Sequence, residues 1–550
     1  MKTVIVGTSR GSRGPRGRGI AAGGAVGEVL AKAASDDYGT EWKAVASKAQ
    51  GALADTALQP AAIGVTIQAH SANLDEFAAV NPTAAGLALL DDASADAQLA
   101  TLGGGTSGIA AFKSANAYTL RAITEPSIIL SQVDASGFEA KWTAALAVIA
   151  AAGGGKIRID ASANVASILT TLSSSHNNLT IEGTHSGVTL TASSPIIRFM
   201  TITGSNITFR NIAFAMGGNI TSGGIQVQGS GVTFDNITAC NTVTTGGIGF
   251  LSTFGAGATD LRVMNSYFHT LGGSCITVQS GAARVRVMNN RATNIGQRFY
   301  YQTATTADIE NVIVTGNRIY DTASSGSLIQ AAYTSGGAYR TRFINISGNE
   351  IIDEGAATGS GDTILFQGSE HGVIANNVIR RPSDVGISVA YQSLGVNVVG
   401  NQISYTDLSG IDFGANATNG GVSNCHAVGN MIYGASLDRN SAHTYYGYLT
   451  AYDSDNISFV ANRLVSDPSD PGPHEAMFWD CTNINYTGNT CDSSYTGTRF
   501  AVQGTCSFRK IDGAYPGTPT MASGAPAGQF IYDTSAPGPK VWTGSAWAST

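Results

Sequence analysis

A chain of 550 residues with 13% charged residues, 68 glycines and a formal net charge of −7 lacks the density of Lys and Arg that a nucleic-acid surface needs to neutralise phosphates. No apolar run approaches the ~20 residues of a membrane-spanning helix, so no membrane insertion is expected. Six cysteines without CxxC spacing supply neither a disulfide framework nor a zinc site, and no metal or cofactor is expected.

The opening MKTVIVGTSRGS has no apolar core of signal-peptide length, which together with reduced thiols predicts assembly in a cytoplasm. The stretch 9–18, SRGSRGPRGR, is basic and Gly-rich, and residues 1–35 are expected to form a flexible docking arm. Residues 28–60 read as helix. EVLAKAA and DYGTEWKAVASKAQGALADTALQP space their apolar residues by three and four and stop at Pro60. A second Ala-rich block, 73–103, reads as short helices broken at Pro82. Both are poor in large apolar residues, and helices this thin need partners. Residues 36–128 are therefore expected to be a helical connector that self-associates, with GGGTSG (103–108) as a linker.

A different pattern begins near 129. FEAKWTAALAVIAAAGGGKIRI (138–159) reads as an amphipathic helix, a glycine stop and a strand. From about 179 to 511 the chain consists of short β-branched runs separated by Gly, Asn, Ser and Thr. NVIVTGNRI (311–319) returns as FINISGNEI, GVIANNVI, VNVVGNQI, CHAVGNMI and ISFVANRL. Its asparagine falls at 290, 317, 349, 377, 401, 430, 462 and 489, with Ile237 and Ser266 keeping the phase upstream. A sustained spacing of twenty-odd residues marks a repeat architecture, and with strands alone in each unit it marks a β-solenoid. Val312 and Val314 share one strand face, Ile344 and Ile346 match them one coil on, and stacking at ~4.8 Å makes apolar columns. The asparagine is expected to end the strand in a left-handed turn and to bond its neighbours as a ladder. A second strand per coil keeps its own apolar-x-apolar phase through GGIQVQG, SCITVQSG, DTILFQG, VGISVA, SGIDFG, EAMFWD and TRFAVQG. A sandwich of similar strands is the alternative, but it has no reason to hold one phase over eight units. The remaining 512–550, rich in Pro and Gly with late aromatics, reads as a C-terminal tail or small β module.

The helix-plus-glycines entry followed by Asn-marked coils resembles the pectate-lyase-like right-handed parallel β-helix over about 130–511. ALADTALQP, AAGLALLDDASADAQLATLG and SANAYTLRAIT before it, and GQFIYDTSAPGPKVWTGSAW after it, resemble segments of bacteriophage tail fibre and tailspike proteins. The resemblance implies a mainly β protein with a short helical N-terminal anchoring region. It implies a homotrimeric virion component, bound to other tail or baseplate proteins through its N-terminus. Residues 129–511 would then meet a bacterial surface glycan, either capsule or O-antigen.

Whether such a helix also cuts the glycan depends on paired carboxylates. Asp453 and Asp480 each lie nine residues before a marker asparagine, hence in one column of adjacent coils, where like charges push one pKa up. Asp412 points outward from SGIDFG. The same pair serves equally well as turn caps, because Asp is common at turns. Asp353 and Arg381 sit four residues after their markers, in line with Asp321 and Tyr405, either as sugar contacts or as a solvated turn ladder. Glu370 and His371 look like an acid–base couple at a loop. Among the aromatics, Tyr300, Tyr446 and Phe478 are expected to face outward and stack on sugar rings. The paired aspartates with Gly-His-Gly of polygalacturonase-like sites are absent, as is an identifiable pectate-lyase calcium cluster, so no catalytic residue carries over from the resemblance. Glycan recognition, glycan cleavage by a glycosidase or lyase, and a purely structural tail role all remain open to this sequence.

Overall fold

The computed structural model describes residues 28–32, 40–44 and 126–549, the last range except for 218, 241–248, 254, 256, 321–325, 334–338, 353–360, 415–420, 436–446, 469–473, 493–497, 516–518, 522–524 and 534–537. Two compact units divide the chain, 1–105 and 106–550.

In the first unit, Glu28–Lys32 and Thr40–Ala44 are antiparallel strands in the register Glu28↔Ala44 to Lys32↔Thr40. This corrects the helix expected over 28–60. Val29, Thr40 and Trp42 favour strands, and a short Ala-rich helix is marginal in water, so cross-strand pairing prevails over the three-four periodicity. The remainder of the expected connector lies outside the described residues.

The second unit is a parallel β-helix. Its coils contribute to three parallel sheets of 16, 13 and 12 strands, called sheets I, II and III here. One coil shows the plan: Ile309–Thr315 lies in sheet I, Arg318–Tyr320 in sheet II and Ile329–Tyr333 in sheet III. The repeat motif is thus the end of a sheet I strand, a corner and a sheet II strand. The inward column of sheet I runs Val263, Val287, Val314, Ile346, Ile374, Val398, Ala427, Phe459 and Tyr486 in unbroken register, and all nine are buried. A single coil could not keep these side chains from water; the stack does, at about 25 cal/mol per Å² of apolar surface.

The marker asparagines form the expected ladder, and those from Asn290 to Asn462 are buried. Asn349 donates from its backbone N–H and from Nδ2 to Asn377 Oδ1 at 3.0 and 2.9 Å, and Nδ2 also reaches Val314 O at 3.0 Å. The same three bonds recur at Asn317, Asn377, Asn401 and Asn430. Upstream, Ser266 N–H donates to Asn290 Oδ1 at 2.9 Å. The left-handed residue, however, is the one before the marker: Asn289, Gly316, Gly348, Asn376, Gly400, Gly429, Ala461 and Gly488 all have φ between 54° and 66°. The small residue in the motif makes the turn, which leaves the asparagine side chain to point inward and satisfy buried backbone groups.

At its start the solenoid carries the helix Phe138–Ala152, whose buried Trp142, Ala145, Leu146 and Ile149 lie on one face at the i, i+3, i+4, i+7 spacing. Gly153 ends it in the left-handed conformation (φ 76°). Beyond residue 511, Gly513–Tyr515, Phe530–Asp533, Gly538–Trp542 and Trp547–Ser549 form a four-stranded sheet, anchored where Trp547 Nε1 donates to Pro519 O at 2.8 Å. No helix among the described residues is long and apolar enough to cross a membrane.

Candidate active site

Sheet III strands keep apolar-x-apolar phase, so every second residue faces out. The register Ile364↔Ile387↔Ile411↔Leu449↔Ala476 therefore sets an outward column of Leu365, Ser388, Asp412, Thr450 and Met477. Leu365, Ser388, Thr450 and Met477 are nevertheless buried, at 8, 5, 0 and 0% exposure. This outer face is screened from water, and a carboxylate placed there loses hydration.

Three aspartates occupy it on consecutive coils. Asp412 lies within Ile411–Phe413. Asp384 and Asp362 precede the strands Ile387–Ala390 and Ile364–Gln367. Asp362 and Asp384 stand near the start of their strands, whereas Asp412 pairs with Ser388, the residue whose hydroxyl also reaches Asp362, so the side chains and not the backbone register bring the three together. The Asp362 carboxylate accepts from Ser388 Oγ and the Val385 N–H, yet burial and then the Asp384 charge push it up to about 7. Asp412 is raised well above the usual carboxylate range by burial, then by the Asp362 and Asp384 charges. Its Oδ1 is buried and accepts no hydrogen bond. A charge on Asp384 contributes to both shifts after burial. A carboxylic acid held neutral at pH 7 beside an ionised one is the arrangement that general acid catalysis needs.

The other expected site residues divide sharply. Asp453 and Asp480 do stand on adjacent coils, directly after the register pair Tyr452↔Trp479, and Asp453 is raised by partial burial and then by the Asp480 charge. Both have left-handed backbones, with φ 45° and 51°, and they share a corner column with Gly368, Tyr391 and Gly504 (φ 60°, 55° and 62°). Asp480 Oδ1 accepts the Thr505 N–H at 2.6 Å, and a Cβ added at Gly504 would lie 2.0 Å from that oxygen. These contacts are those of a turn. Arg381 is exposed, also left-handed (φ 54°), and its backbone N–H donates to Ser404 O at 2.8 Å. Tyr446 and Asp353 lie outside the described residues.

Tyr300 and Phe478 require correction. Both are 0% exposed and sit in the core, Tyr300 donating its hydroxyl to Gln302 Oε1 at 2.5 Å. The alternation is one residue out of the expected phase: Tyr301 and Trp479 are the outward aromatics, the first beneath the Arg298 guanidinium at 4.7 Å and the second 36% exposed. Glu370 is no free acid either. It pairs with Arg342 Nε at 2.8 Å and Arg340 Nε at 3.6 Å, while His371 stacks on Phe343 at 5.7 Å. Asp362 and Asp384 escaped sequence reasoning because they lie two and three residues before the register isoleucine, an offset that hides their stacking. Among the described residues no three His, Cys, Asp or Glu side chains converge closely enough to hold a metal ion.

No family model matches the chain, and no curated protein matches it. Solved structures do. The tailspike protein of E. coli bacteriophage HK620, in complex with a pentasaccharide, is 13% identical over 67% of this chain and 74% of its own, with TM-score 0.43. The Streptococcus pneumoniae surface protein and adhesin PfbA is 13% identical over 69% of this chain and 100% of its own, at 0.44. The catalytic unit of a GH87 α-1,3-glucanase from Streptomyces thermodiastaticus is 15% identical over 66% of this chain, at 0.42, and the chain spans 65% of that unit's length. Their names describe three different roles, so function here is argued from the chain's own residues.

Proposed function

We propose that this chain is a virion tail protein of the tailspike type that binds a bacterial surface polysaccharide for host attachment and hydrolyses it at the Asp362–Asp384–Asp412 cluster. The observation that carries the proposal is Asp412: a buried, unpartnered carboxyl oxygen on an outward strand position, beside two further carboxylates. Asp412 delivers its proton to the glycosidic oxygen as the bond from that oxygen to the anomeric carbon breaks. Asp384, ionised, takes a proton from the water that attacks the anomeric carbon. Asp362 holds the pair's protonation order through its charge. The virion location, the trimer and the docking of the N-terminus to other tail proteins rest on the sequence resemblance of the flanking segments.

A second reading, glycan binding without cleavage, is favoured by the outward aromatics: Trp479 with Tyr452 at 6.2 Å and Tyr405 with Tyr433 at 5.1 Å. Asp453 and Asp480 stay as the rival acid pair. The deciding experiment incubates purified chain with a panel of capsular and O-antigen polysaccharides and follows polymer length. Shortening that is lost in Asp412→Asn and kept in Asp480→Asn is the expected result. Loss in Asp480→Asn alone moves the site to the corner column. Binding with constant length makes the protein an adhesin.

A further inference from the structure

Away from the carboxylate cluster, a groove of about 480 Å³ lies on the outer face of sheet III. The register Met200↔Ile225↔Leu251↔Ile276↔Tyr300 shows how it arises. Two residues before each of these positions stand Arg198, Gly223, Gly249, Ser274 and Arg298. Two arginines at the same register position, four coils apart, thus bracket a floor of residues with almost no side chain. Four strand spacings put their backbones about 19 Å apart.

Among the described residues, no carboxylate lines this groove. Both guanidiniums are half-buried and bond to neutral amides. Arg198 Nη1 donates to Gln226 Oε1, and Arg298 Nε donates to Gln330 Oε1 at 2.6 Å while its guanidinium lies on the Tyr301 ring. An amide orients a guanidinium without neutralising it, and an aromatic face fixes its plane. Elsewhere on the solenoid Arg210, Arg284 and Arg342 are paired with acids. Two oriented, uncompensated cations in a protein of net charge −7 make a local site for anions.

The groove points at the cluster. Continuing the Arg198–Arg298 column by register, the next residues are Ser327 and then Asp362. Arg298 is therefore two coils, about 10 Å, from the first of the three aspartates, and one extended polymer along the solenoid axis passes both. We propose that the Arg198–Arg298 groove is a subsite for acidic sugars, so that the polysaccharide bears carboxylate or phosphate groups. The proposal names the substrate class of the reading above and rests on it for the direction of the chain.

The test uses the full-length protein on an array of bacterial capsular and O-antigen polysaccharides, acidic and neutral, at 0.05 and 0.5 M NaCl. Acidic polymers should bind, and high salt should weaken them. Arg198→Gln with Arg298→Gln should lower affinity by at least about 10-fold, as loss of charge-assisted bonds implies. Thr277→Glu, which puts a carboxylate on the groove lining without touching either arginine, should do the same, and thermal melting checks that the variants fold. Selective binding of neutral polymers, no binding at all, or equal binding by these variants overturns the subsite. Neutral polymers bound and shortened would leave the cleavage reading standing alone. Acidic polymers bound through the arginines but never shortened would leave the subsite and remove cleavage.

Discussion

Two sets of aspartates accompany sheet III of this solenoid, one clustered at its strands and one in a corner column, and they differ in what the backbone asks of them. Asp362, Asp384 and Asp412 lie in or next to sheet III strands, where no side-chain type is required by φ. Asp453 and Asp480 lie at the corner, where a left-handed residue is required and Asp is among the few that accept it. The corner pair is explained by the turn. No turn explains Asp412 in the strand cluster, where its buried Oδ1 accepts no hydrogen bond and a carboxylate on a screened face costs stability. An arrangement that folding does not need is the better candidate for chemistry.

The largest effect that sharpens this contrast is kinetic. Asp412→Asn should lower the rate of polysaccharide shortening by roughly 10²–10⁴-fold, the usual contribution of a general acid, with glycan affinity retained. Asp480→Asn should change the rate less than about threefold. Viscometry or size-exclusion chromatography of the digested polymer reads both, and equal losses would erase the distinction between the two sets.

The next effect concerns the frame that holds both sets. Asn349→Leu should cost about 2–4 kcal/mol in chemical denaturation, because it strands Val314 O and the Asn317 N–H in the core. The exposed pair Asn206–Asn178, bonded at 3.0 Å, should lose less than about 1 kcal/mol in Asn206→Gly, which keeps the left-handed backbone. Comparable losses would mean that the inner ladder is not what holds the coils.

A smaller effect is pH-dependent. Asp362 titrates near 7 in the fold and near ~3.9 when unfolded. Between those values the folded state binds a proton that the unfolded state releases, so stability is fully present below about 4 and falls as pH rises to about 7. Asp362→Asn should flatten that slope and raise the melting temperature at pH 8. An unchanged slope in the variant would show that the cluster is better solvated than its packing implies.

The smallest effect is at the corner. Asp480→Gly keeps the left-handed backbone and should shift stability by less than about 1 kcal/mol, whereas Asp480→Val should cost about 1–2 kcal/mol from the left-handed β-branched residue alone. If valine is tolerated as well as glycine, the corner column does not impose the conformation that distinguishes it from the strand cluster.

By itself the sequence determined the coil, because coil stacking repeats one local rule: an inward aliphatic pair, a small left-handed residue and an asparagine recur with the same chemistry each time. It also determined that Asp453 and Asp480 would share a column and that Asp412 would face out, since period-2 alternation and marker spacing are local. Only the tertiary structure decided which carboxylates are screened from water. Whether an outward residue is wet or screened depends on what lies across it from distant parts of the chain, and no periodicity records that. The same holds for Tyr300 and Phe478, where a one-residue phase choice reverses core and surface. It holds again for Arg198 and Arg298, a hundred residues apart in the chain and brought to one groove only by four steps of parallel register.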